Sequence, residues 1–207
     1  FYRDLRARDA RLVELVAGLA LPLALATGVA PFAKATGSNA AALDRVAIDI
    51  QGDTLVVHTS QSSWGGYPGK DSGPVEVSLG THELTNAWLN GAGSLSIDRV
   101  KGLSFSLSVQ GSGDAEIGQV AVDQMNIGLT GSANARLGGD TKKFTALVRG
   151  ISTLDASKLQ AQDATVGAEG TATIDATIRD EANVSASGNA TIRLAGNPSC
   201  TLRVAGS

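Results

Sequence analysis

Three aromatic side chains carry the clearest binding chemistry in this sequence. Trp64 and Tyr67 sit in SQSSWGGYPGKDSGP, residues 60–74, where Gly, Ser and Pro mark an extended loop. Aromatic rings on an exposed loop stack on sugar rings or anchor a protein partner. The same rings also serve as apolar cover for the structure beneath them. Trp88 either joins that pair or covers the open end of the fold that follows it.

Catalytic chemistry has less to work with. The sequence has two histidines, His58 and His82, which are not at metal-ligand spacing. It contains neither a GxSxG phrase nor a phosphate-binding loop. His82-Glu83 reads more readily as a turn before a strand than as half of an acid–base pair. Cys200 is the single cysteine; it excludes an internal disulfide and a multi-cysteine metal site. It has no histidine near it in sequence to generate a thiolate. Asp98, Asp114, Asp123 and Lys101 approach one another if adjacent repeats stack, yet scattered surface charge explains them equally well. The phrase GSGD at 111–114 has the form of a calcium-binding repeat but supplies one carboxylate where a cation needs several oxygens. No catalytic residue, metal or cofactor is expected, and the chain reads as a non-enzyme.

The elements that would position these residues are set by a repeat. A glycine-led phrase recurs at Gly91, Gly111, Gly131, Gly150, Gly170 and Gly188, spaced by 18 to 20 residues. Counting from the glycine, position four holds Leu95, Ala115, Ala135, Leu154, Ile174 and Ile192. Position six holds Ile97, Ile117, Leu137, Ala156, Ala176 and Leu194. Between them lie Ser96, Glu116, Arg136, Asp155, Asp175 and Arg193. Apolar–polar–apolar with period two is a strand with one face buried. Large and small side chains trade places between the inward columns, as volume compensation in a narrow core requires. A second strand precedes most of the glycines, clearest at Phe105, Leu107, Val109 and at Met125, Ile127, Leu129.

A unit this short, with no helix in it, buries its apolar face only by stacking on its neighbours. Coils stacked as parallel strands rise by roughly 4.8 Å each. The leading glycine marks a corner with φ > 0 or a close backbone approach. Position three is always polar (Ser94, Asp114, Asn134, Thr153, Thr173, Thr191), suited to bonding the turn backbone. Strand twist favours a right-handed coil. The expected fold is all-β: a right-handed parallel β-helix over residues 90–207, with a β-rich portion over 1–89 that continues or caps it.

Composition agrees. Aromatics are 4% of the residues and Gly numbers 25, which suits a thin core of Ala, Val, Leu and Ile. A net charge of −3 provides no basic field for nucleic acid. Near the N-terminus, basic residues before an apolar run have the outline of a signal peptide. Asp4, Asp9 and Glu14 interrupt the charged region, and Leu19, Leu21, Leu23 and Leu25 alternate with smaller residues, so strands are the preferred reading. Strands are expected near 12–17, 19–26, 45–50, 54–59 and 75–79, with a hairpin turn at Gly52-Asp53.

The succession GSGDAEI, GSANARL and the later glycine phrases, closing on Gly196-Asn197-Pro198, resembles the DUF2807 family, the auto-transporter adhesin head GIN domain. VELVAGLALPLAL followed by LDRVAIDIQGDTLVV is similar to that family's opening strands, and the resemblance spans about residues 10–207. It implies a pectin-lyase-like right-handed β-helix and an exported bacterial envelope protein in the periplasm, outer membrane or cell surface. Adhesion is the role that this architecture implies. Three roles fit: a surface protein binding glycan or protein along a flat face, a carbohydrate-active enzyme on the same scaffold, or a module assembling with its own copies through solenoid faces or edges.

Overall fold

The computed structural model describes residues 12–17, 25–27, 32–37, 46–51, 54–59, 75–80 and 83–206. Its fourteen strands join in one sheet, and the described residues contain no helix. The six glycine phrases become a stack of coils. β8 (Gly93–Gly111), β9 (Asp114–Gly131), β10 (Asn134–Gly150), β11 (Thr153–Gly170) and β12 (Thr173–Gly188) each run once around the solenoid. Each pairs in parallel with the next. β7 (Asn86–Gly91) opens the parallel stack beneath β8, while β13 (Thr191–Gly196) and β14 (Ser199–Ala205) divide the last coil between them.

Burial along β9 shows how one strand makes a closed turn. Ala115 and Ile117 point inward, then Val120 and Val122, then Met125, Ile127 and Leu129. Between these runs lie outward doublets, Gly118-Gln119 and Asp123-Gln124, where alternation breaks and the strand bends. Every coil therefore has three walls. The first and third are the two strands legible in the repeat, and the second is a short run that alternation alone does not reveal.

The leading glycines close the third corner. All six have positive φ, from 77° at Gly188 to 105° at Gly111. A Cβ on Gly131 would lie 2.5 Å from the Gly111 carbonyl oxygen one coil below. Ser112, Ser132, Ile151 and Thr171, each following a leading glycine, donate their N–H to the glycine carbonyl of the previous coil, Ile151 to Gly131 at 2.7 Å. A Cβ on Gly206 would lie 3.1 Å from the Gly188 carbonyl oxygen.

The N-terminal strands switch to antiparallel pairing. β1 (Leu12–Ala17) lies on the first wall of β8, followed by β6 (Val75–Gly80) and β3 (Phe32–Gly37). β2 (Leu25–Thr27) lies on β7 at the third wall, followed by β5 (Thr54–Thr59) and β4 (Val46–Gln51). Both ladders extend the solenoid walls, and the core continues into them through Leu55, Val57, Val75 and Val77. Gln51 pairs with Thr54, a two-residue hairpin register; Gly52 and Asp53 themselves lie outside the described residues. Of the strand expected at 19–26, only its end appears, in β2; residues 18–24 lie outside the described set.

Candidate functional site

Each wall has an outward face built by the same register that builds the core. On the first wall, position three bonds along the stack: Asn134 Nδ2 donates to Asp114 Oδ1 at 2.9 Å. The alternating charges at position five form one ion pair, Arg193–Asp175 at 3.4 Å. Asp155 turns instead to Ser157, whose hydroxyl donates to it at 2.6 Å and whose backbone N–H donates at 3.1 Å. These bonds hold the Asp155 carboxyl below its ordinary value, assisted by Arg136 and Lys158 and opposed by partial burial.

Asp98, Asp114, Asp123 and Lys101 occupy separate positions on the coils. Asp98 lies at the first corner and Lys101 on the second wall. Asp114 is held by Asn134, and Asp123 pairs with Lys142 at 2.9 Å. Among the described residues no three His, Cys, Asp or Glu side chains gather around a common metal position. In the N-terminal ladder, His58 Nε2 meets Asp49 Oδ2 at 2.6 Å across β4 and β5. Glu83 precedes β7 in a segment without regular structure, while His82 lies outside the described residues. Cys200 is exposed on β14.

The third wall differs from the others. Its outward positions form a column with one short polar side chain per coil: Asn86, Ser106, Asn126, Thr145, Thr165, Asn183 and Thr201. Inward neighbours such as Phe105, Met125 and Phe144 hold this strand segment flat against the core. Apart from Asn86, which donates to Thr85, and Asn183, which donates to Glu181, these side chains make no hydrogen bond within the described protein. The column therefore presents donors and acceptors to solvent at the coil spacing.

Trp88 lies on this face. It pairs in register with Ser108 on one side and Leu25 on the other, and it is 43% exposed. Its indole points outward, and the edge of the first coil is covered by β1 and β2. The column that starts at Trp88 continues through Ser108 and Gly128, and Gly128 is open enough that a Cβ there would meet only the Ser108 hydroxyl, at 3.9 Å. The amides of Asn86, Asn90, Gln110 and Asn126 are exposed around it. An aromatic ring flanked by planar amides on a flat strand surface has the chemistry that grips a sugar ring. Trp64 and Tyr67 lie outside the described residues. The polar column is not legible in the sequence, because isolated Ser, Thr and Asn look like ordinary solvent-facing strand residues until the register aligns them.

A family match agrees with this architecture. Residues 25–198 match the family model DUF2807, described as "Putative auto-transporter adhesin, head GIN domain". The comparison with curated proteins returns no match.

Proposed function

Because the chain belongs to the DUF2807 family, we propose that it is a non-catalytic, exported protein of the bacterial envelope that binds a glycan through the outward face of its third wall. The observation that carries this reading is the exposed Trp88 set beside a column of Asn, Ser and Thr side chains, of which only Asn86 and Asn183 hydrogen-bond within the described residues. Stacking on the ring and hydrogen bonds to the neighbouring amides together supply affinity without a deep pocket. The family description, which names an adhesin, supports a surface role. The Trp64–Tyr67 loop is assigned to the same task as a second aromatic contact.

The test is a glycan-array screen of wild type beside Trp88→Ala and Trp64→Ala/Tyr67→Ala, with folding checked by circular dichroism. Binding that Trp88→Ala reduces by tenfold or more, about the 1.4 kcal/mol expected of one aromatic contact, supports the reading. Wild-type binding that Trp88→Ala leaves unchanged removes the third wall from it. Absence of glycan binding by wild type, with a protein partner captured at the same face, replaces a glycan ligand with a protein one.

A further inference from the structure

Two shallow depressions on the third wall lie on either side of the polar column and overlap over β11 and β12. One runs from Lys143 and Thr145 across Asp163 and Thr165 to Asn183; the other runs from Thr165 and Asn183 to Thr201 and Arg203. They share Thr165 and Asn183 as a common rim, and together they make a broad groove over β10, β11, β12 and β14 that runs across the strands, along the stack of coils. The polar column runs along its middle. Among the described residues, Thr145, Thr165 and Thr201 make no side-chain hydrogen bond, and Arg203 has neither a side-chain hydrogen bond nor an ion pair.

From this groove we propose that the protein binds an uncharged linear polysaccharide lying along the solenoid axis, one sugar unit per coil. The proposal rests on the glycan-binding reading above and specifies the ligand and its direction. The groove direction sets the first constraint, since the ligand must extend across successive coils. The repeat sets the second. Hydrogen-bonding side chains recur roughly every 4.8 Å, the separation of paired strands. An extended peptide repeats its side-chain pattern every two residues, about 6.6–6.8 Å, and falls out of step within a few coils. A β-1,4-linked sugar chain advances by close to one coil per unit and turns alternate edges to the wall, so equivalent groups return at every second coil and the chain keeps step. Charge sets the third: two cations, Lys143 and Arg203, balance two carboxylates, Asp163 and Glu181, so the groove has no net field to select a polyanion.

Calorimetry with cello-, xylo-, manno- and chito-oligosaccharides, from disaccharide to hexasaccharide, tests this. For the matching series, affinity rises by about two- to tenfold per added unit, the fold-change of one net hydrogen bond, and levels off once the groove is spanned. The triple variant Thr145→Val/Thr165→Val/Thr201→Val removes three hydroxyls while keeping β-branched shape, and should flatten the length dependence. Thr165→Ser retains the hydroxyl and should keep it. Length-independent binding that Trp88→Ala abolishes overturns the axial proposal and leaves the glycan reading standing. A length dependence unchanged in the triple variant overturns it too, as does selective binding of acidic polysaccharides. If wild type binds no glycan at all, both fall.

Discussion

Gly131 and Gly102 both hold positive φ, at 102° and 147°, but their surroundings differ. A Cβ on Gly102 meets nothing within 4 Å, whereas on Gly131 it would sit 2.5 Å from the backbone oxygen of Gly111, which cannot swing aside. Gly102→Ala should cost only backbone strain, about 1–2 kcal/mol. Gly131→Ala adds a clash inside the stacked corner and should cost about 3 kcal/mol or more. Urea unfolding of the two variants measures the difference; equal losses would sink the stacking account of the repeat. A second test concerns Asp155. Its folded pKa lies below the unfolded one, so its contribution to stability is present above about pH 4 and is lost as pH falls through the lowered folded value. Ser157→Ala should move the Asp155 titration, followed by NMR, back toward the ordinary carboxylate value and shrink that acid-dependent component; an unmoved titration contradicts the assigned cause. At this scale the leading glycines are legible in the sequence because only glycine takes their φ freely. The column two residues later is not. Gly93, Gly113, Ala133, Ser152, Ala172 and Ala190 all face inward, and a Cβ on Gly113 would lie 2.6 Å from the Leu89 side chain. Gly, Ala and Ser after a glycine read as turn residues, so their role as small inward fillers emerges only from the packing.

At the scale of the strand, the first and third walls are legible and the second is not, because length variation collects at its margins. β10 omits one residue opposite Gly118-Gln119, with the register shifting between Leu137 and Gly139. β12 is shorter again, and its register against β11 shifts between Ala156 and Gln160 and once more beyond Ala161. The second wall is thereby reduced to Val120 and Val122 in β9, Leu159 and Ala161 in β11, and Ile178 in β12. In β10 the corresponding inward residue is Thr141, whose hydroxyl is satisfied by the carbonyls of Asp123 and Lys143. A run of one or two inward residues is too short to show a period. The third wall carries three inward residues per coil and its largest anchors, Phe105 and Phe144, both buried. Phe144→Ala should cost about 3–5 kcal/mol through the cavity it leaves between Met125 and Ala164. A loss under about 1 kcal/mol in denaturant would mean that the wall collapses to fill the space. Because Thr145 is adjacent, the same variant should also distort the polar column.

Across the whole molecule, each coil touches only its neighbours, so stability is a sum of coil and interface terms and need not be uniform. The core of β9, β10 and β11 is covered from both sides: Val109, Leu129 and Val148 stack in sequence and are all fully buried. In β14 the positions that continue the inward columns of the third wall are open, with Leu202 at 65% and Val204 at 67% exposure. Amide exchange should therefore be slowest in β9–β11, and faster in β13 and β14, which pair on one side among the described strands. Leu202→Ala should change global stability by less than about 1 kcal/mol, whereas Ile127→Ala, at a buried position of the same column, should cost about 2–5 kcal/mol. If the two variants lose the same stability and all coils exchange at one rate, the solenoid unfolds as a single unit. A gradient would place the open part of the polysaccharide groove, at Thr201 and Arg203, on the most mobile coil. Ligand bound along the axis would then slow exchange most in β14, since binding to the ordered coil draws the local opening equilibrium toward the closed form. Protection confined to β7 and β8 would instead locate the ligand at Trp88 alone.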